Sequence, residues 1–263
     1  MPIADIGGAR VHYEKSGNGK ETVVLLHAFP LHSGMWSRQI ATLSRKYQVL
    51  APDYRGLGKS PPGPAASTME LLATDVLSLF DHLGVRRAAF VGLSMGGYLA
   101  FEIYRRSPGV FRALALCDTR SGADSPEGAA NREKFAQTTI EKGLGWVADE
   151  MTAKLLRPQP DAAVVKEVRS LIGQGTPAGV AAAQRGMAKR PDSTPTLAQI
   201  ACPALVVVGA EDTLIPPAEA EKLAAGIKGA RLAKIPGAGH LPNIENPAAF
   251  DAALLGFLDA LPG

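Results

Sequence analysis

The sequence predicts an α/β fold: a mostly parallel central sheet with helices on both faces and an inserted helical segment. Three observations carry this expectation. Short, continuous apolar runs occur at 23–26, 88–91, 114–116 and 205–208, the pattern of strands covered on both sides. Amphipathic helical patterns alternate with these runs. From about 121 to 194 the apolar runs vanish, and helical patterns follow one another without interruption.

Taken in order, Ile3 to Ile6 and Arg10 to Glu14 flank Gly7 and Gly8, which predicts an antiparallel hairpin at the sheet edge. Helices are expected over about Trp36 to Arg45, Met69 to Leu83, Met95 to Arg106, Pro217 to Ile227 and Pro247 to Leu261. Inside the insertion, Ser125 precedes Pro126, Asp161 precedes Ala162 and Thr176 precedes Pro177; each pair is an N-cap residue followed by a good first-turn residue. The expected organisation is a discontinuous core, residues 1–120 and 195–263, with a helical cap at 121–194.

A chain of 263 residues with 46% hydrophobic side chains buries a large core. Its 28 basic and 25 acidic residues leave a net charge of only +3, spread along the chain, which argues against a nucleic-acid-binding surface. No stretch approaches the roughly 20 apolar residues of a membrane helix, and the opening MPIADIGGAR lacks the features of a signal peptide. The expectation is a soluble, cytoplasmic protein with no membrane partner. Cys117 and Cys202 lie in or beside apolar runs without ligand spacing, as reduced core thiols do. No repeat of fixed period occurs.

The segment AAFVGLSMGGYLAFEIYRR sets Gly92, Ser94 and Gly96 between a buried strand and a helix. GxSxG alone is a weak signal; its place at a sharp strand-to-helix turn, where small neighbours are needed, makes Ser94 a candidate nucleophile. A serine hydroxyl needs a base, itself oriented by an acid. His240, in a Gly-rich loop between the last strand and the final helix, suits the base. His27 ends a strand and reads as a structural residue bonding nearby backbone. For the acid, Asp212 and Asp118 both follow strands, where open α/β sheets place their sites. The order Ser94, Asp212, His240 leaves room for the cap and then one helix-strand unit, which favours Asp212. Glu245, two residues before Pro247, reads as a helix-start carboxylate.

These motifs, with HAFP at 27–30, DYRGLGKS at 53–60, GAEDTLIPP at 209–217 and GAGHLPNIENP at 237–247, resemble the α/β-hydrolase superfamily over essentially the whole chain. Within it, the capped esterase and 3-oxoadipate enol-lactonase branch is most similar. The resemblance implies a serine hydrolase of carboxylic esters or lactones, N-acyl homoserine lactones among the candidates, working through an acyl-enzyme without cofactor. It also implies an oxyanion hole from the backbone N–H groups of Phe29 and Met95. Ala28 stands where the family carries Gly. Phe29, Trp146, Ile215 and Leu241 are candidate pocket residues; Trp146, Met151 and Leu155, at helical spacing, equally suit the cap's own core. Rival readings on the same fold are a cofactor-free haloperoxidase or perhydrolase, a carbon–carbon bond hydrolase, and a small-molecule receptor without turnover. The GKS of DYRGLGKS is not a phosphate loop, because Asp53 stands where that pattern needs Gly. No metal-ligand spacing is present, and oligomeric state stays open.

Overall fold

Strands β1 (Ile3–Ile6) and β2 (Ala9–Ser16) form the edge hairpin, with Ile6 opposite Ala9. The computed structural model describes residues 2–6, 8–63 and 66–262; Gly7 of the expected turn, and Met1 and Gly263 at the expected core limits, lie outside the described residues. Strand β3 (Thr22–Leu26) leads through a 3-10 turn at Ser33–Trp36 into α1 (Ser37–Leu43), followed by β4 (Gln48–Pro52) and α2 (Met69–Leu83). Strand β5 (Ala88–Leu93), α3 (Met95–Arg106) and β6 (Phe111–Cys117) complete the first part of the core.

The long stretch between β6 and the next strand holds α4 (Pro126–Leu155), α5 (Ala162–Ile172), α6 (Pro177–Ala188) and the short α7 (Thr194–Leu197). Helix α4 is broken at Gly143, which takes φ 73°, a left-handed conformation that glycine adopts without a Cβ penalty. Two expected start signals act as side-chain caps: Ser125 Oγ accepts from Gly128 N at 3.1 Å, and Thr176 Oγ1 from Gly179 N at 3.0 Å. Asp161 makes no such bond. These helices are seated on the core through Thr176, whose N–H and hydroxyl both donate to the Gly56 carbonyl, at 3.0 and 3.1 Å.

Strand β7 (Ala204–Gly209), α8 (Pro217–Gly226), β8 (Arg231–Ile235), α9 (Pro242–Glu245) and α10 (Pro247–Leu258) close the chain. Among the described residues eight strands form one sheet in the order β1-β2-β4-β3-β5-β6-β7-β8. The pairings of β2 with β1 and β4 are antiparallel, and all others are parallel. Strands β3 and β5 are buried at every position, which requires helices on both faces. Phe90 stacks between Phe80 of α2 and Phe111 of β6, with centroids 5.4 and 4.1 Å away.

Strands β4 and β8 are absent from the apolar runs of the sequence. Strand β8 is the sheet edge, with Arg231, Leu232 and Lys234 facing solvent, so it needs no continuous apolar run. Register brings the carboxyl ends together: Leu26 pairs with Gly92, Leu93 with Cys117, Cys117 with Val207 and Gly209 with Ile235. The strand order reverses between β3 and β5, which marks a topological switch point. Phe29, Ser94, Asp118, Asp212 and His240 all follow strand ends on this one edge.

Candidate active site

Ser94 stands at φ 55°, ψ −112° between β5 and α3, a strained conformation for a residue with a Cβ, costing about 1–3 kcal/mol. The turn is held on both sides. Ser94 N donates to the Cys117 carbonyl at 2.8 Å, and Thr119 Oγ1 donates to the Ser94 carbonyl at 2.8 Å. A Cβ on Gly92 would collide with the Gly96 backbone, and one on Gly96 with the Leu26 carbonyl, so close approach accounts for both glycines. The Ser94 hydroxyl makes no cap bond to α3, which leaves it available in the cavity that Ser94 lines.

Asp212 and His240 are both buried and joined directly, His240 Nδ1 lying 2.7 Å from Asp212 Oδ2. The other Asp212 oxygen accepts from Leu214 N at 2.8 Å and Ile215 N at 3.0 Å. A carboxylate taken up with donors at both oxygens holds the proton on Nδ1, which leaves Nε2 as the basic nitrogen. That nitrogen is buried with no hydrogen-bond partner among the described residues. Ser94 and His240 make no direct hydrogen bond there, as is common for catalytic pairs without a substrate.

Asp118 follows β6 at φ 45° and is fully buried. Its Oδ1 accepts from Gly209 N at 2.7 Å, and its Oδ2 has no partner among the described residues. Asp118, Asp212 and His240 each present a polar atom within 4.8 Å of the others. Burial first, and the neighbouring Asp212 second, push the Asp118 carboxyl well above the usual range; two adjacent buried carboxylates do not both ionise. Within this cluster Asp212 and His240 form a direct hydrogen-bonded pair at 2.7 Å, with the Asp118 carboxyl beside it.

Glu245 ends α9 instead of starting a helix. Its carboxylate accepts from Gly239 N and Arg157 N, each at 2.8 Å, tying the His240 loop to the segment after α4. No sequence pattern signals this role, because its partners are backbone groups that the fold alone brings near.

The Met95 N–H, at the first position of α3, has no intrahelical acceptor. Neither it nor the Phe29 N–H donates a hydrogen bond among the described residues. The Phe29 loop is braced from behind. His27 stacks on Tyr54 with centroids 3.7 Å apart, accepts from Tyr54 N at Nε2 and meets the Ala28 carbonyl through Nδ1. Burial lowers the His27 pKa to about 4, so it stays neutral and structural. Ala28 is not among the residues of positive φ, so its backbone does not lie in the left-handed region that favours glycine. The DYRGLGKS turn is likewise structural: Asp53 accepts from Ser33 N and Lys59 N and bonds His12 Nδ1, at 2.8, 2.9 and 2.8 Å.

A cavity of about 350 Å³ opens above Ser94, within the range of small-ligand sites. Phe29, Tyr98, Leu214 and Ile215 line it from the core, and Phe135, Met151 and Met187 from the inserted helices. Polar residues Arg120, Asn131, Arg132, Lys154 and Gln184 complete the wall; none of these five stands out in the sequence. Of the expected pocket residues, Phe29 and Ile215 line the cavity, whereas Trp146 and Leu241 do not. Trp146 packs against Phe135, centroids 4.8 Å apart, and Leu241 is fully buried. No helix among the described residues is long and apolar enough to cross a membrane.

Residues 21–247 match the family model described as alpha/beta hydrolase fold. The 3-oxoadipate enol-lactonase 2 of Acinetobacter baylyi is 28% identical over 238 residues, covering 89% of this chain and 87% of the relative. Among solved structures, a thermophilic esterase from Thermogutta terrifontis, malate bound, is 38% identical with a TM-score of 0.96, covering 99% of both chains. The enol-lactonase from Burkholderia xenovorans is 32% identical with a TM-score of 0.89, covering 98% of this chain and 100% of that one. A match over residues 21–247 means that the chain belongs to the α/β-hydrolase fold family.

Proposed function

We propose that this chain is a serine hydrolase of carboxylic esters and lactones, with Ser94 as nucleophile, His240 as base and then acid, and Asp212 as its orienting carboxylate. The observation that carries the reading is the buried His240–Asp212 bond of 2.7 Å with Nε2 left free, on the same sheet edge as a strained serine that opens on a cavity. The esterase and enol-lactonase names of its relatives support ester and lactone chemistry.

In this mechanism Ser94 Oγ attacks the carbonyl carbon while its proton passes to His240 Nε2. The oxyanion is received by the Phe29 and Met95 N–H groups, aided by the dipole of α3; each such donor is worth about 3–4 kcal/mol. Collapse breaks the carbon–oxygen bond, and the imidazolium protonates the leaving alkoxide. Water then gives its proton to His240, attacks the acyl-enzyme and restores Ser94. The helices of 121–194 act as a cap that shapes the acyl site.

The test is a hydrolysis panel of 4-nitrophenyl esters of increasing chain length beside simple and N-acyl homoserine lactones, followed over many turnovers. Repeated turnover of at least one member is expected. A single acylation event that stops would instead favour a receptor, and no hydrolysis of any member would overturn the reading.

A further inference from the structure

His240 is held on both sides by one residue. Glu245 Oε2 accepts from Gly239 N at 2.8 Å, and the Glu245 N–H donates to the Leu241 carbonyl at 2.9 Å. The positions before and after His240 are therefore both tied to Glu245. Its second oxygen, Oε1, accepts from Arg157 N at 2.8 Å, two residues beyond the end of α4. A carboxylate at the end of a helical turn is opposed by the dipole of that turn, so α9 by itself does not account for a glutamate there. Its backbone donors do.

The loop that carries His240 has little room on either side. A Cβ on Gly239 would collide with Arg157 N and the Leu156 carbonyl carbon, and one on Gly209 with the Gly239 carbonyl oxygen. Gly239 thus lies between the end of β7 and the segment after α4. On the β7 side the loop is fixed to the acid's own segment, because Glu211 N donates to the Ala238 carbonyl at 2.9 Å and Asp212 bonds His240 at 2.7 Å. On the α4 side Glu245 supplies the link. The Asp212 bond fixes one point of the imidazole ring. Where Nε2 stands depends also on the backbone from which the ring hangs, and a misplacement of about 1 Å at a reacting centre costs about 10² in rate.

We propose that Glu245 is a positioning residue for the general base: by accepting from Gly239 N and Arg157 N together, it clamps the His240 loop between β7 and the end of α4 and sets the height of Nε2 over Ser94. Glu245 acts through the backbone of the loop and touches no reacting atom. This inference rests on the reading of His240 as base.

The experiment compares wild type, Glu245→Gln and Glu167→Ala on the best ester of the panel. Gln keeps the length of the side chain but has one acceptor oxygen, and its NH2 group would face the second backbone N–H. Glu167 of α5 pairs with Arg38 of α1 through both oxygens, at 2.6 and 2.8 Å, so Glu167→Ala releases a tie between the inserted helices and the core without touching the His240 loop. Glu245→Gln should lower kcat by about 10- to 100-fold with KM little changed, the mark of an interaction felt in the transition state. Glu167→Ala should keep the wild-type kcat. In proton NMR the low-field signal of His240 Nδ1–H, assigned by its loss in His240→Gln, should shift or broaden in Glu245→Gln and stay in place in Glu167→Ala. Should Glu245→Gln fold poorly, Glu245→Asp, which keeps both oxygens but withdraws them by one methylene, is read by the same measurements. An unchanged kcat, a loss carried by KM alone, an equal loss in Glu167→Ala or an unmoved signal would each overturn the inference and leave the serine-hydrolase reading standing. Failure of both Glu245 variants to fold would make Glu245 a folding residue and overturn it likewise. No hydrolysis of any ester by the wild type would overturn both.

Discussion

Asp118 and Asp212 stand at the ends of the neighbouring strands β6 and β7, each with a polar atom within 4.8 Å of the other's and of His240's, yet only Asp212 bonds His240, at 2.7 Å. Two acids compete for one imidazole, and the geometry divides their work. Asp212 accepts from Leu214 N and Ile215 N and bonds His240, while Asp118, fully buried and pushed well up by burial and by Asp212, accepts from Gly209 N.

Asp212→Asn should therefore cost about 10⁴ in kcat through loss of the imidazole tautomer. Asp118→Asn, whose side-chain oxygen can still accept from Gly209 N and which makes no bond to His240, should stay within about tenfold of wild type. Steady-state kinetics on one good ester decide this. If Asp118→Asn is the crippled variant, the acid has been misassigned while Ser94 and His240 stand.

Ser94→Ala should lower kcat by about 10⁶ with the fold intact, as removal of a triad serine does elsewhere. Circular dichroism checks the fold. Activity within tenfold of wild type would rule out Ser94 as nucleophile.

In the proposed mechanism His240 must be unprotonated to take the Ser94 proton, so kcat/KM should fall tenfold per pH unit below a single apparent pKa of the free enzyme. A flat profile from about pH 5 to 8, where imidazoles titrate, would mean that no histidine base acts.

Stability should have its own pH dependence. The His27 pKa is lowered from 6.5 to about 4 by burial, so between these values the unfolded chain binds a proton that the native state refuses. The contribution of this residue is complete above pH 6.5 and declines as pH falls through the window toward 4, by at most about 3 kcal/mol. Urea midpoints at pH 7 and 4.5 measure it. The fall should be shallower in His27→Gln, although that variant starts from lower stability; equal slopes would exclude His27 as the source.

Gly96→Ala places a methyl group against the Leu26 carbonyl, backbone that cannot swing aside. Overpacking of this kind costs about 1–3 kcal/mol, and here it displaces the turn carrying Ser94. The Tm should drop and activity should fall further than the stability loss explains. A variant with wild-type Tm and kcat would show that the close approach is not needed.

Much of this protein was legible in one dimension. Continuous apolar runs marked β3, β5, β6 and β7 because a strand covered on both faces has no polar side to write into the chain. Gly92 and Gly96 around Ser94 marked the elbow because crowding there is local, set by residues a few positions apart. Tertiary structure alone decided the rest. Edge strand β8 left no run since half of it faces solvent. Order and spacing favoured Asp212 over Asp118, but the 2.7 Å contact between Asp212 and His240, 28 residues apart, exists only in the folded chain. Asp124 is met by three arginines, Arg120 from the loop after β6, Arg132 from α4 and Arg190 from beyond α6. Periodicity records which side of its own element a residue faces, but charge in a cavity depends on which elements meet there, and that is settled only when the inserted helices pack onto the sheet.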